Sequence, residues 1–157
     1  MSAVRTRPVP VEEELPTGAD YADAFEVVVP RPDGRTPEQW VRAGLERAPA
    51  AVRRLILVVH RQVLRLELGP PAGPDRILGW RIVSSTPDVV RLEAAGSLAG
   101  AVLVGRRVGP TRMRLTTALA YRRPGLARSV WACVGPLHRL LAPLLLKRAC
   151  ATAPMSR

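Results

Sequence analysis

Few side chains in this chain of 157 residues are equipped for chemistry: two histidines, two cysteines, three tryptophans and two tyrosines, beside 13 carboxylates. His138 is the first to consider. It follows Pro136 by two positions, and Trp131, His138 and Leu145 recur seven residues apart, which places them on one row of a helix. A proline inside a helix removes a main-chain hydrogen bond and can bend the axis. An imidazole at such a point has two readings. It projects into an apolar cavity, where it orients a ligand carbonyl or acts as acid or base, or it fills a core or rim position and hydrogen-bonds a strand carbonyl. Tyr121 offers a hydroxyl as a second polar anchor, and Trp80 and Trp131 are either pocket walls or plain core. With Leu115 and Leu141 as apolar lining, the expected binding residues are Trp80, Leu115, Tyr121, Trp131, His138 and Leu141.

The remaining candidates read more plainly. Asp20 and Asp23 flank Tyr21 and suit a structural cap or an ion pair with an arginine from a later strand. His60, between Val59 and Arg61, is expected at the surface or rim. Cys133 and Cys150 share one helix, roughly 25 Å apart along its axis, too far for a disulfide. They lack metal-ligand spacing and fit buried thiols in a reducing cytoplasm. The chain has no G-x-G-x-x-G, P-loop, H-E-x-x-H, C-x-x-C or G-x-S-x-G. No metal site, cofactor or marked nucleophile is expected.

The elements that must position these residues follow from periodicity. Residues 1–18 mix Pro, Val and Glu without a period and read as a disordered leader without a secretory signal. A strand is expected from Tyr21 or Ala24 to Val29, stopped by a Pro- and Gly-rich turn. Thr36-Pro37-Glu38-Gln39 has the cap, the proline and the Gln of a capping box, and opens a helix to about Arg47. Pro49 then opens a second helix, Ala50 to about Leu68, carrying Val52, Leu55, Ile56, Val59, Val63 and Leu66 at helical spacing. Four strand candidates follow, around Leu78–Val83, Val89–Ala94, Ala101–Arg107 and Arg112–Tyr121, with turn-like connections that suit an antiparallel meander. From about Arg123 to Cys150, apolar residues in steps of three and four mark a helix about 37 Å long. Prolines and charges interrupt it, so a transmembrane span is not expected. Residues 152–157 read as a flexible tail, leaving one domain over 19–151.

A sheet with one apolar face must bury it, and the long closing helix has the width to do so. In this order of elements the chain resembles the helix-grip fold of the START and polyketide-cyclase-like (SRPBCC) superfamily. Two motifs, Asp20-Tyr21-Ala22-Asp23 and Gly135-Pro136-Leu137-His138-Arg139, are similar to those of a narrower bacterial family of this length that has no established reaction. The likeness spans about residues 20–150. It implies an α+β fold, with an antiparallel sheet wrapped around a long C-terminal helix and two shorter helices after the first strand. It also implies a cavity for lipids, polyketides or similar apolar molecules.

Charge bears on partners. The chain has a net charge of +11, almost all from arginine, since Lys147 is the sole lysine and asparagine is absent. That bias fits a GC-rich coding background such as an actinobacterial one. The arginines are dispersed in pairs, and 4% aromatic content is too low for the stacking platforms of single-strand binders, so specific nucleic-acid binding is not expected. Arg53, Arg54, Arg61 and Arg65 offer a face for peripheral contact with an anionic membrane. The expected function is therefore binding of a hydrophobic small molecule between sheet and C-terminal helix. The alternatives are a cyclase- or dehydratase-like enzyme using His138 and Tyr121, and an arginine-rich module that docks to an acidic partner or membrane.

Overall fold

The structure, a computed structural model, describes residues 4–151. Seven antiparallel strands form one sheet: β1 (Arg5–Pro8), β2 (Tyr21–Val28), β3 (Arg76–Ile77), β4 (Trp80–Ser85), β5 (Val89–Ala94), β6 (Ala99–Gly109) and β7 (Arg112–Tyr121). Their order across the sheet is β1-β2-β7-β6-β5-β4-β3, so the meander closes by pairing its last strand with β2. Three helices, α1 (Pro37–Glu46), α2 (Ala50–Val58) and α3 (Pro124–Ala151), complete an α+β fold in which the long α3 packs on the sheet. The expected fold class is the one observed.

Local chemistry accounts for most boundaries. Thr36 and Gln39 form the capping box, with Pro37 in the first turn of α1. Trp40 and Val41 then point inward, and Val41 meets β6 at Gly105, where a Cβ would sit 2.8 Å from its methyl. Gly44 lets α1 approach α3, with Ala149 3.4 Å from where its Cβ would be. Arg35 ties this contact by donating to the Ala149 carbonyl at 2.9 Å. Alternation on β7 places Met113, Leu115, Thr117 and Leu119 toward the helices, and α3 answers with Ala127, Trp131, Ala142, Leu146 and Ala149. By length and composition α3 is apolar enough to cross a membrane. Here it carries the core on one side and leaves Leu126, Leu140 and Leu144 exposed on the other.

The structure departs from expectation in several places. The second helix stops well before Leu68. A π-helical turn, Val59–Val63, closes it, Arg65 takes a left-handed φ of 55°, and Leu66 bridges to Gly96 on the sheet. Burial of Leu64 and Leu66 requires this exit, because a continued helix would carry one of them into solvent. Leu78 is not a strand residue: with Gly79 it makes the two-residue turn between β3 and β4, both at positive φ, as a type I′ hairpin needs. Burial of Leu78 holds a residue there that the turn itself disfavours.

The leader is also ordered where it is described. Arg5–Pro8 forms the edge strand on β2, and the following residues cross the outer face of the sheet. Glu12 pairs with Arg114 at 2.7 Å and Glu13 with Arg106 at 2.5 Å, while Arg7, Arg112 and Arg114 surround the buried Glu26. The carboxylates of an apparently unpatterned segment thus neutralise arginines on β6 and β7. The expected tail, 152–157, lies outside the described residues.

Candidate functional site

Between the sheet, α1, α2 and α3 lies a cavity of about 120 Å³. Its wall is overwhelmingly apolar, with Leu115 and Leu119 from β7, Leu103 from β6, Ile56 from α2, and Leu137 and Leu141 from α3. Trp80 and Trp131 close two sides. The titratable groups on this wall are His60 and His138, which are the only histidines in the chain. Five of the six expected residues, Trp80, Leu115, Trp131, His138 and Leu141, therefore share one chamber.

Tyr121 does not join them. It ends β7 on the cavity face of the strand but beyond Leu119, and its surroundings are Asp20 and Arg128. Burial first, and then the Asp20 charge, raise its pKa. The phenol that stands near His138 is instead Tyr21. Alternation along β2 puts Tyr21 and Asp23 on one face, and both come under α3. The Tyr21 hydroxyl donates to Asp23 Oδ2 at 2.5 Å, and its ring packs on Trp131 with centroids 4.8 Å apart. Burial and the Asp23 hydrogen bond push the Tyr21 pKa up to about 12. His138 Nε2 lies 3.0 Å from Asp23 Oδ2 and 3.3 Å from Oδ1, and its ring also stacks near Trp131.

The two aspartates thus take different roles, neither of them an arginine pair. Asp20 caps a strand end by accepting the Tyr121 main-chain N–H at 2.7 Å. Asp23 holds His138.

His60, expected at the rim, belongs to the cavity wall. It lies in the π-helical turn, a feature often found at functional sites. Trp80 Nε1 donates to its Nδ1 at 3.3 Å, edge-on. Burial, and secondarily the nearness of His138, lower its pKa to about 4. A sequence signal for this existed: Ile56, His60 and Leu64 are spaced by four, and the two flanking members are core residues. The expected thiols differ as well, since Cys133 is exposed while Cys150 accepts a hydrogen bond from Trp40 Nε1 at 3.3 Å.

A larger groove of about 430 Å³ opens on the opposite face, edged by Arg76, Arg81 and Arg91 over Gly100, Ala118 and Ala120. Glu93 already engages Arg81 and Arg91 there. Among the described residues, no three His, Cys, Asp or Glu side chains gather as a metal site.

No family model matches the chain, and no curated protein does. A conserved protein of unknown function from Enterococcus faecalis has a solved structure similar to it at 11% identity and a TM-score of 0.32. The match covers 88% of this chain and 76% of that one, and at this score it carries no argument.

Proposed function

We propose that this protein binds a small hydrophobic molecule between its sheet and α3. The observation that carries the reading is the cavity itself: about 120 Å³ walled by leucines and the three indoles of Trp40, Trp80 and Trp131, with histidines as its titratable groups. Apolar cavities of this order stay dry and take up benzene-sized guests. The occupant in this reading is a ring or a short chain segment with one polar atom directed at His60 or His138. The resemblance to the START and polyketide-cyclase-like superfamily supports the same class of ligand.

Entry between α2 and α3 suits the surface there. Leu55 and Val58 on α2 are exposed beside Arg53, Arg54 and Arg61, which is the composition of a segment that rests on an anionic membrane. In this second, compatible reading the ligand is delivered from a lipid phase.

Native mass spectrometry of the purified protein, followed by organic extraction, tests the main reading. A retained apolar molecule, or saturable uptake of added benzene, is the expected result. Failure to retain or take up any apolar molecule would overturn it.

A further inference from the structure

We propose that the cavity is a proton-transfer site for a small carbonyl compound, with His138 as the base at the carbon next to the carbonyl and His60 as hydrogen-bond donor to its oxygen. The proposal rests on the ligand-cavity reading above and names the substrate class and chemistry of that site.

The assignment follows from which nitrogen of each ring carries its proton. An indole N–H only donates, so the His60 Nδ1 that receives Trp80 holds a lone pair, and the proton sits on Nε2. No described residue takes that Nε2–H. The depressed pKa, about 4, keeps this ring neutral across the physiological range, so it donates without being a charged acid. His138 is arranged the other way. A carboxylate accepts, so in the neutral form of this ring the Nε2 facing Asp23 is the N–H donor and Nδ1 keeps the lone pair. Tyr21 fixes the carboxylate by donating to Oδ2, and Trp131 packs against both the phenol and the imidazole. Asp23 also stabilises the imidazolium that forms when Nδ1 takes up a proton.

A neutral N–H donor and a carboxylate-held imidazole, both on the wall of one apolar chamber, are complementary in the way enolisation requires. His138 Nδ1 removes the α-proton. The C–H electron pair becomes the C=C bond, and the carbonyl π pair moves onto oxygen, to which His60 Nε2–H donates a hydrogen bond. Return of the proton to the same carbon gives exchange, and return to a vinylogous carbon gives an isomer. The step balances without oxidant, reductant or cofactor. His60 and His138 are the catalytic residues; Asp23 is a positioning residue.

Cyclohexanone in D₂O is the probe, with loss of its α-proton signal followed by NMR and benzene as an independent probe of the cavity. The wild type is expected to exchange the α-protons faster than an equal concentration of free imidazole. His138→Gln is expected to lower the rate about 100-fold or more, and His60→Leu by roughly 100-fold, with benzene uptake retained as evidence of the fold. Asp23→Asn is expected to lower the rate and to displace its pH profile, whereas a merely structural loss would leave the profile in place. Cyclohexanone that displaces benzene but exchanges no faster than with imidazole overturns the proposal and leaves the binding reading standing. So does benzene uptake without cyclohexanone binding, or exchange unaffected by His138→Gln. If neither compound enters, both fall. The wild-type comparison with imidazole decides even if a variant does not fold.

Discussion

The Nε2 atom of His138 on α3 lies 3.0 Å from Oδ2 of Asp23 on β2, a contact that joins positions 115 apart in the chain. It locks the long helix to the first long strand at the point where Tyr21 and Trp131 also pack. Partners in one hydrogen-bonded network couple by about 0.5–3 kcal/mol. A double-mutant cycle of Asp23→Ala and His138→Ala, read by urea unfolding, is expected to show a coupling in that range. Strict additivity would show that the two groups do not depend on each other.

His60 predicts a specific acid sensitivity. Its folded pKa, about 4, lies below the ordinary 6.5, so the unfolded chain binds a proton that the folded chain refuses. Its contribution is fully present above pH 6.5 and is lost as pH falls toward 4, by up to about 3 kcal/mol. His60→Leu is expected to flatten the stability profile across that window. An unchanged profile between pH 6.5 and 4 would show that His60 is not held neutral.

Glu26 acts lower on the pH scale. Burial opposes its charge, but hydrogen bonds from Arg7 and Arg114 and the charge of Arg112 outweigh that and keep its pKa below the ordinary 4.5. Its stabilisation is present above pH 4.5 and is lost as pH falls below it. Glu26→Ala leaves Arg114 buried with only the exposed Glu12 to answer it, and is expected to cost about 3–5 kcal/mol. Thermal unfolding at pH 7 checks this.

Gly96 is where the chain leaving α2 returns to the sheet. A Cβ there would lie 2.3 Å from the Arg65 carbonyl oxygen, a main-chain atom that cannot step aside. Gly96→Ala is expected to cost about 1–3 kcal/mol, whereas Gly100→Ala, with open space around it, is expected to be near neutral. Equal effects from the two variants would contradict the close approach at Gly96.

Leu141 lines the cavity from α3. Leu141→Trp adds bulk to a chamber of about 120 Å³ and is expected to abolish benzene uptake while the circular dichroism spectrum stays native. Uptake equal to that of the wild type would place the guest elsewhere.

Why some elements were legible and others were not is a matter of how local their causes are. The capping box at Thr36 and Gln39, the alternation of β7 and the stripe of α3 all lie within a few residues of their own signal. β6 carries little alternation of its own because it is central and buried on both faces, with Val102 and Val104 as fully buried as Ala101 and Leu103. The leader had no period because its strand at Arg5–Pro8 lies at the sheet edge and its glutamates answer arginines about a hundred residues away.

By itself the sequence determined the fold class, an antiparallel sheet under a long C-terminal helix; of the six residues expected at a site, five lie on the cavity wall and Tyr121 does not. Those follow from the period of apolar side chains along each element. The partner of each histidine was decided by tertiary structure alone. Strand register and helix docking set which side chains come within 3 Å, so they chose Tyr21 over Tyr121 and gave His138 to Asp23. The early exit from α2 brought His60 to Trp80 for the same reason: burial of Leu64 and Leu66 outweighs continuation of the helix.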